Sequence, residues 1–165
     1  MSTLYPNFPL LSLPIAAGLA YAPHFIKALI VVNATKRWNN NLSLVRFTDI
    51  RAYILVNPRG QIERVESKLS ASAAAMAKRA ESAHSNGMET LPIFYGAVLA
   101  ALHAGISRDF VTYYSGMFLV TRAMYNVIYI LNTDRITALA RSTVWGAGIY
   151  SCMRLFLAAA STKRY

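Results

Sequence analysis

Two groups of polar residues have the types and spacings needed to bind a charged ligand. Asn86 and Glu89 lie three positions apart, immediately before an apolar run, so a helix would place both on one face. Arg122, Tyr125 and Tyr129 follow one another at i, i+3 and i+7 inside another apolar run, which is again one helical face. An amide and a carboxylate bind ammonium and peptide groups, whereas arginine binds carboxylates or a thiolate.

The composition predicts that lipid, and not a small soluble core, surrounds these residues. Apolar residues make up 55% of the 165-residue chain and charged residues only 15%, against roughly 25% charged in soluble domains. The net charge is +10, but nine of the seventeen basic residues lie at positions 33–83, between apolar runs. This bias is typical of a cytosolic membrane loop, so we expect a lipid bilayer and no nucleic acid as partner.

The apolar runs predict an all-α fold, a four-transmembrane-helix bundle in a single domain, residues 1–165. We place the helices at about residues 9–32, 84–106, 110–131 and 136–160, with a cytosolic loop at 33–83. From position 62 onward this segment regains helix-forming residues, and we expect a cytosolic helical extension of the second membrane helix there. About 20 residues at 1.5 Å each suffice to cross the roughly 30 Å hydrocarbon core. The resulting orientations put both polar groups, together with Arg141, in the cytosolic half.

Arg122 lies deep in its predicted span. It is nine residues from Leu131, which is about 13 Å along a helix and close to the midplane. A lipid-facing arginine at that depth costs about 2.5–3.5 kcal/mol. We therefore expect Arg122 to face protein or water and to require an anion. A zwitterion with several amides and a reactive anion meets these requirements; glutathione does, and so do other zwitterions.

The remaining polar residues of the apolar runs have ordinary interpretations. Lys27 can extend its charge to the interface while His24 packs in the bundle, or both can face a polar cavity. Arg154 lies near the lumenal end of the fourth helix, and its side chain is likewise expected to extend its charge to the membrane interface. The single cysteine, Cys152, excludes an intrachain disulfide and a cysteine-based metal cluster, and we predict no metal site.

The sequence resembles the MAPEG family, membrane-associated proteins of eicosanoid and glutathione metabolism. The features that carry the resemblance are residues 79–89, the Arg122–Tyr129 face and the four spans. The likeness is greatest to the fungal-type members of the family. The resemblance implies a homotrimer in the endoplasmic reticulum or another microsomal membrane, with glutathione as co-substrate between subunits and a lipophilic small molecule as second substrate. It assigns glutathione binding to one set of residues: His84, Asn86, Glu89, Arg122 and Tyr125. Arg141, which would stabilise the thiolate, and Tyr129 would be catalytic.

The sequence also departs from the pattern of the catalytic relatives. Several of them carry an arginine where this chain has Ser82 or Ser85, and Lys27 or Arg79 are the expected substitutes. The connection from Tyr129 to Arg141 looks longer than in the prostaglandin-forming relatives, which makes Arg135 a second candidate for the thiolate role. Residues 42–56 look like an insertion.

Three functions remain open at this stage. The first is a membrane-bound glutathione transferase or peroxidase that acts on lipophilic electrophiles or lipid hydroperoxides. The second is a non-catalytic lipid-binding or scaffold protein of the same fold. In the third the polar face is purely structural, with Glu89 paired to Arg122. Four short-looped spans without a repeat and with polar groups at one side argue against a channel or transporter.

Overall fold

The computed structural model describes residues 7–35, 69–132 and 134–162, and within these ranges the protein consists of four helices with short turns at their ends, without a strand. The helices are α1 (Phe8–Thr35), α2 (Ala71–His103), α3 (Arg108–Leu131) and α4 (Arg135–Ala160). Helix α2 includes the expected helical extension of the second span, from Ala71 onward, and continues through that span. The proposed insertion at residues 42–56 lies outside the described part of the chain.

Local hydrogen bonds explain where the helices begin and end. The Ser70 hydroxyl accepts from the Ala73 amide at the start of α2. At its end Gly105 has φ 73°, and the Ile106 amide bonds back to the Ala101 carbonyl, a Schellman motif that favours glycine. Asp134 begins α4 by accepting from the Thr137 amide at 2.8 Å, and this bond holds the pKa of the Asp134 carboxyl below its usual value.

Several polar side chains lie inside the bundle and many large apolar side chains lie on its outside, as expected of a protein in lipid. Ser115, Arg122 and Asn126 on α3 are buried, whereas Val120 and Val127 on the same helix are mostly exposed. By length and composition two helices can cross a membrane, α1 over Phe8–Asn33 and α4 over Arg135–Ala160. Helices α2 and α3 carry more polar residues, and on α3 three of these, Ser115, Arg122 and Asn126, are buried.

The core lies where α2 crosses the other helices. Helix α2 packs against α1, α3 and α4, and α3 packs against α1 and α4. Phe94 of α2 and Phe118 of α3 stack in parallel with ring centroids 4.0 Å apart, and both are buried. Small residues on α2, Ala97 and Ala101, are also fully buried, which allows the neighbouring helices to approach closely.

Helix α1 contains a proline whose missing amide is compensated by α3. Pro23 has no N–H, so the carbonyl of Leu19, four residues earlier, loses its intrahelical donor. The Nδ2 of Asn126 donates to that carbonyl at 2.8 Å. The next carbonyl, that of Ala20, accepts a bond from Nδ1 of His84 at 2.8 Å. Helices α2 and α3 therefore both bind the α1 backbone one turn before Pro23.

Helix α2 approaches α1 most closely at the same level. A Cβ at Gly87 would lie 3.0 Å from the Ala20 Cα and 3.1 Å from its Cβ. Gly87 is therefore required by the distance between two backbones. We call the contact among Leu19, Ala20, His84, Gly87 and Asn126 the α1 joint.

Replacing Gly87 by alanine should destabilise the protein. The gain in helix propensity is about 1 kcal/mol, but overpacking against a backbone atom costs about 1–3 kcal/mol, and Ala20 Cα cannot move without separating α1 from α2. Thermal unfolding in detergent should show a lower melting temperature for Gly87→Ala. The control is Gly18→Ala, where a Cβ would meet nothing within 4 Å; equal melting temperatures for both variants would contradict the close contact.

The compensation between Pro23 and Asn126 can be measured with a double-mutant cycle. Asn126→Ala removes the donor to the Leu19 carbonyl and should lower the free energy of unfolding by about 1–2 kcal/mol. Pro23→Ala restores an amide that can donate to the same carbonyl, so Asn126→Ala should cost less in that background. Additive effects in denaturant or thermal unfolding would show that the two residues act independently.

Candidate functional site

Arg122 is a buried cation for which the described part of the chain provides no carboxylate. Its side chain is 5% exposed, and Nη1 donates to the Asn86 Oδ1 at 2.9 Å. The guanidinium lies 4.5 Å from the centroid of the Tyr125 ring. Its Nε and Nη2 are buried without a hydrogen-bond partner. An amide oxygen and a π-face only partly compensate a buried charge, so Arg122 can accept an additional anionic group.

Glu89 does not neutralise Arg122. It is exposed on α2, one turn after Asn86, and no ion pair joins Glu89 to Arg122 among the described residues. The structural interpretation, in which this pair fixes helix packing, is wrong in that respect: Asn86 makes the contact instead. Glu89 consequently keeps its carboxylate available at the surface.

Two arginines and two tyrosines form a continuous stack along α3 and α4. Tyr125 and Tyr129 have ring centroids 5.4 Å apart, and the Arg141 guanidinium lies 4.6 Å from the centroid of Tyr129. With Arg122 over Tyr125, the order is Arg122, Tyr125, Tyr129, Arg141. Stacking on an aromatic face leaves the in-plane N–H groups of a guanidinium free to donate.

Of the two candidates for the thiolate role, Arg141 and Arg135, only Arg141 belongs to the stack. Arg141 is partly buried against Tyr129, whereas Arg135 is exposed at the first residue of α4. No contact joins Arg135 to the stack in the described ranges.

His84 lies at the α1 joint and not in the stack. Since a carbonyl only accepts, its bond to Ala20 requires a proton on Nδ1. Its ring also packs against Tyr21 and His24, with centroids 5.3 and 5.2 Å away. His84 and Asn86 thus act on opposite sides of α2: one contacts α1 and the other contacts α3.

The two expected substitutes for the missing arginines are engaged elsewhere. Lys27 is 6% exposed and pairs with Glu81, Nζ to Oε1, at 3.2 Å. Arg79 donates from Nε to the Ile130 carbonyl at 2.8 Å, which ties α2 to the last turn of α3. Ser82 and Ser85 are exposed, so no described cation replaces an arginine at their positions.

A small space adjoins Arg122 between α2, α3 and α4, with room for about one water molecule. Trp145 of α4 borders it and is 41% exposed. The sequence analysis missed Trp145, although its position four residues after Arg141 places both on one helical face. The other lining residues are mostly apolar or hydroxylic: Thr90, Phe118, Thr121, Tyr125, Val144, Gly148 and Ile149.

The geometry thus brings Asn86, Arg122, Tyr125, Tyr129 and Arg141 together in one polar line inside an apolar bundle. No curated protein and no solved structure matches the chain. A family model, described as the MAPEG family, matches residues 13–161 and so includes every residue of this line. The chain therefore belongs to the MAPEG family of membrane-associated proteins, whose members are glutathione-dependent transferases and peroxidases or related proteins.

Proposed function

We propose that this protein is a membrane-bound glutathione-dependent transferase or peroxidase that acts on lipophilic electrophiles or lipid hydroperoxides. The observation that carries the proposal is Arg122, a buried guanidinium with two unpartnered nitrogens and no described carboxylate. A buried cation is stabilised by an anion that enters with a ligand. Glutathione, which members of the family use, carries two carboxylates.

Different residues bind different groups of glutathione in this proposal. Arg122 binds a carboxylate, and the exposed carboxylate of Glu89 binds the ammonium group. The space beside Arg122 holds about one water, far less than the roughly 300 Å³ of a small-molecule pocket. Most of the tripeptide would therefore lie along the outer edge formed by Glu89, Tyr129 and Arg141. A neighbouring subunit of a homotrimer would cover it.

Arg141 is the residue that we assign to thiolate stabilisation. A thiol with a pKa of roughly 8.5 must be lowered by about two units to be mostly ionised at neutral pH, which requires about 2.7 kcal/mol. One hydrogen bond from a charged donor supplies roughly 1.5–3 kcal/mol. Tyr129 holds the Arg141 guanidinium in place through its ring, and its hydroxyl is a second donor for the sulfur.

The sulfur anion would then react in one of two balanced ways. With an electrophile, it forms a bond to carbon while the leaving group departs or an epoxide opens. With a lipid hydroperoxide, the sulfur bonds to the terminal oxygen while the O–O bond breaks, which gives the sulfenic acid of glutathione and an alkoxide that takes a proton to become the alcohol. The thiol of a second glutathione then converts the sulfenic acid to the disulfide and water. Arg141 stabilises the sulfur before attack in both cases. The exposed apolar surfaces of α3 and α4 would let such substrates arrive from the endoplasmic reticulum membrane.

A non-catalytic lipid-binding or scaffold protein is the second candidate. It is favoured by the engagement of Lys27 with Glu81 and of Arg79 with Ile130, because neither then replaces the arginine absent at Ser82 and Ser85. In that case glutathione would not bind, and lipid alone would occupy the bundle surface.

Arg141→Ala should remove the thiolate from bound glutathione. The purified protein in detergent should show thiolate ultraviolet absorbance when glutathione is added, and glutathione should raise its melting temperature. We expect the absorbance to be lost in Arg141→Ala and retained in the matched control Arg135→Ala. Turnover should fall in parallel, by about tenfold or more.

Three results would overturn the proposal. They are absence of stabilisation by glutathione, equal thiolate signals for the two arginine variants, and absence of glutathione-dependent turnover. The first of these would favour the non-catalytic candidate.

Asn86→Asp tests whether the uncompensated charge of Arg122 drives binding. The new carboxylate would neutralise Arg122 internally, so glutathione affinity should fall about tenfold or more while the ligand-free protein keeps its melting temperature. Ser85→Asp is the control, since it adds the same charge at the neighbouring exposed position. Calorimetric titration that gave equal affinities for both variants would exclude this role of Arg122.

A further inference from the structure

A second cationic cluster lies at the end of the bundle where α3 begins and α4 ends. Arg154 is exposed on α4, and its guanidinium lies 5.7 Å from the centroid of the Tyr114 ring on α3. Tyr114 packs against Tyr113 at 5.1 Å and against Tyr150 at 6.5 Å. Tyr113 is 66% exposed and Tyr150 is 50% exposed. We call these four residues the Arg154 cluster.

The positive charge of this cluster has no anion in the described part of the chain. No described carboxylate forms an ion pair with Arg154, and its one described partner is the Tyr114 ring. An aromatic ring covers one face of a guanidinium and leaves the N–H edge free. That edge matches two oxygens of a phosphate, since arginine binds phosphate through parallel hydrogen bonds.

The depth of Arg154 places this free edge near the membrane surface. Helix α4 has 26 residues, about 39 Å at 1.5 Å each, and so extends about 4–5 Å beyond each side of a 30 Å hydrocarbon core. Arg154 is six residues before Ala160, about 9 Å, so its Cα lies roughly 4–5 Å below the hydrocarbon boundary. At this depth a charge needs a counter-ion, and lipid phosphates are the nearest ones.

Tyr114 contacts the Arg154 guanidinium from α3. It is six residues after Arg108, the first residue of α3, so it lies at about the same depth as Arg154. The exposed rings of Tyr113 and Tyr150 add the amphipathic side chains that are enriched at membrane interfaces.

We propose that the Arg154 cluster binds the phosphate of an anionic membrane phospholipid in the leaflet at the Ala160 end of the bundle. The guanidinium donates to the phosphate oxygens, and Tyr113 and Tyr150 pack beside the glycerol region. A lipid phosphate is held at this depth by its acyl chains, whereas inorganic phosphate has no such anchor. The site is separate from the Arg122–Arg141 stack and does not depend on the proposed activity.

The test measures lipid-dependent stability of the full-length protein in detergent. Phosphatidylglycerol, phosphatidylcholine or inorganic phosphate is titrated while the melting temperature is followed, and native mass spectrometry counts the retained lipid. We expect phosphatidylglycerol to stabilise the wild type more than phosphatidylcholine does, and inorganic phosphate to have no effect. Arg154→Gln should lower the apparent affinity for phosphatidylglycerol in this titration about tenfold, as expected for loss of a charge-assisted hydrogen-bond pair.

Matched variants separate this site from general charge attraction. Arg135→Gln removes an exposed arginine at the opposite end of α4, where no described aromatic ring covers it, and should leave the phosphatidylglycerol effect unchanged. Tyr114→Leu keeps Arg154 but removes its ring and should weaken the effect, which provides a second measurement if Arg154→Gln does not fold. Equal losses for Arg135→Gln and Arg154→Gln, an unchanged effect in Arg154→Gln, or stabilisation by inorganic phosphate would overturn the proposal.

Discussion

Helix α1 fits this bundle because its neighbours accommodate its backbone near Pro23. The proline leaves the Leu19 carbonyl without a donor inside an apolar environment, where an unpaired carbonyl is costly. Asn126 supplies that donor, and Gly87 lets α2 come close enough for His84 to bind the next carbonyl. Asn126 is adjacent to Tyr125, and Gly87 to Asn86, so the same contact fixes the rotation of α2 and α3, two of the three helices that carry the polar line.

This fixed rotation explains why Arg122 is buried although its charge is not balanced. Asn86 faces α3 because its neighbours on α2 face α1, and it meets Arg122 at hydrogen-bond distance. The described chain then provides an amide oxygen and a tyrosine ring, but no carboxylate, for that guanidinium. The uncompensated positive charge of Arg122 is the feature on which the proposed binding of an anionic ligand depends.

Much of the fold could be predicted because lipid imposes strong limits on sequence. Apolar runs of membrane length predict helices, and a face with Arg122, Tyr125 and Tyr129 must turn inward. The partner of each polar group could not be predicted in the same way. Only the purely structural alternative paired Glu89 with Arg122, and in the structure Asn86 makes that contact. Asn86 lies one helical turn before Glu89 on almost the same face, so sequence spacing does not distinguish them.

The sequence by itself determined the all-helical class, the membership of the MAPEG family and the residues of the polar line, because residue types and helical periodicity are local properties. Only the tertiary structure decided what His84 and Lys27 do: one binds the backbone of α1 and the other pairs with Glu81. Both assignments depend on how far apart two helices lie and how each is rotated. Those quantities follow from packing between distant segments, which no single segment encodes.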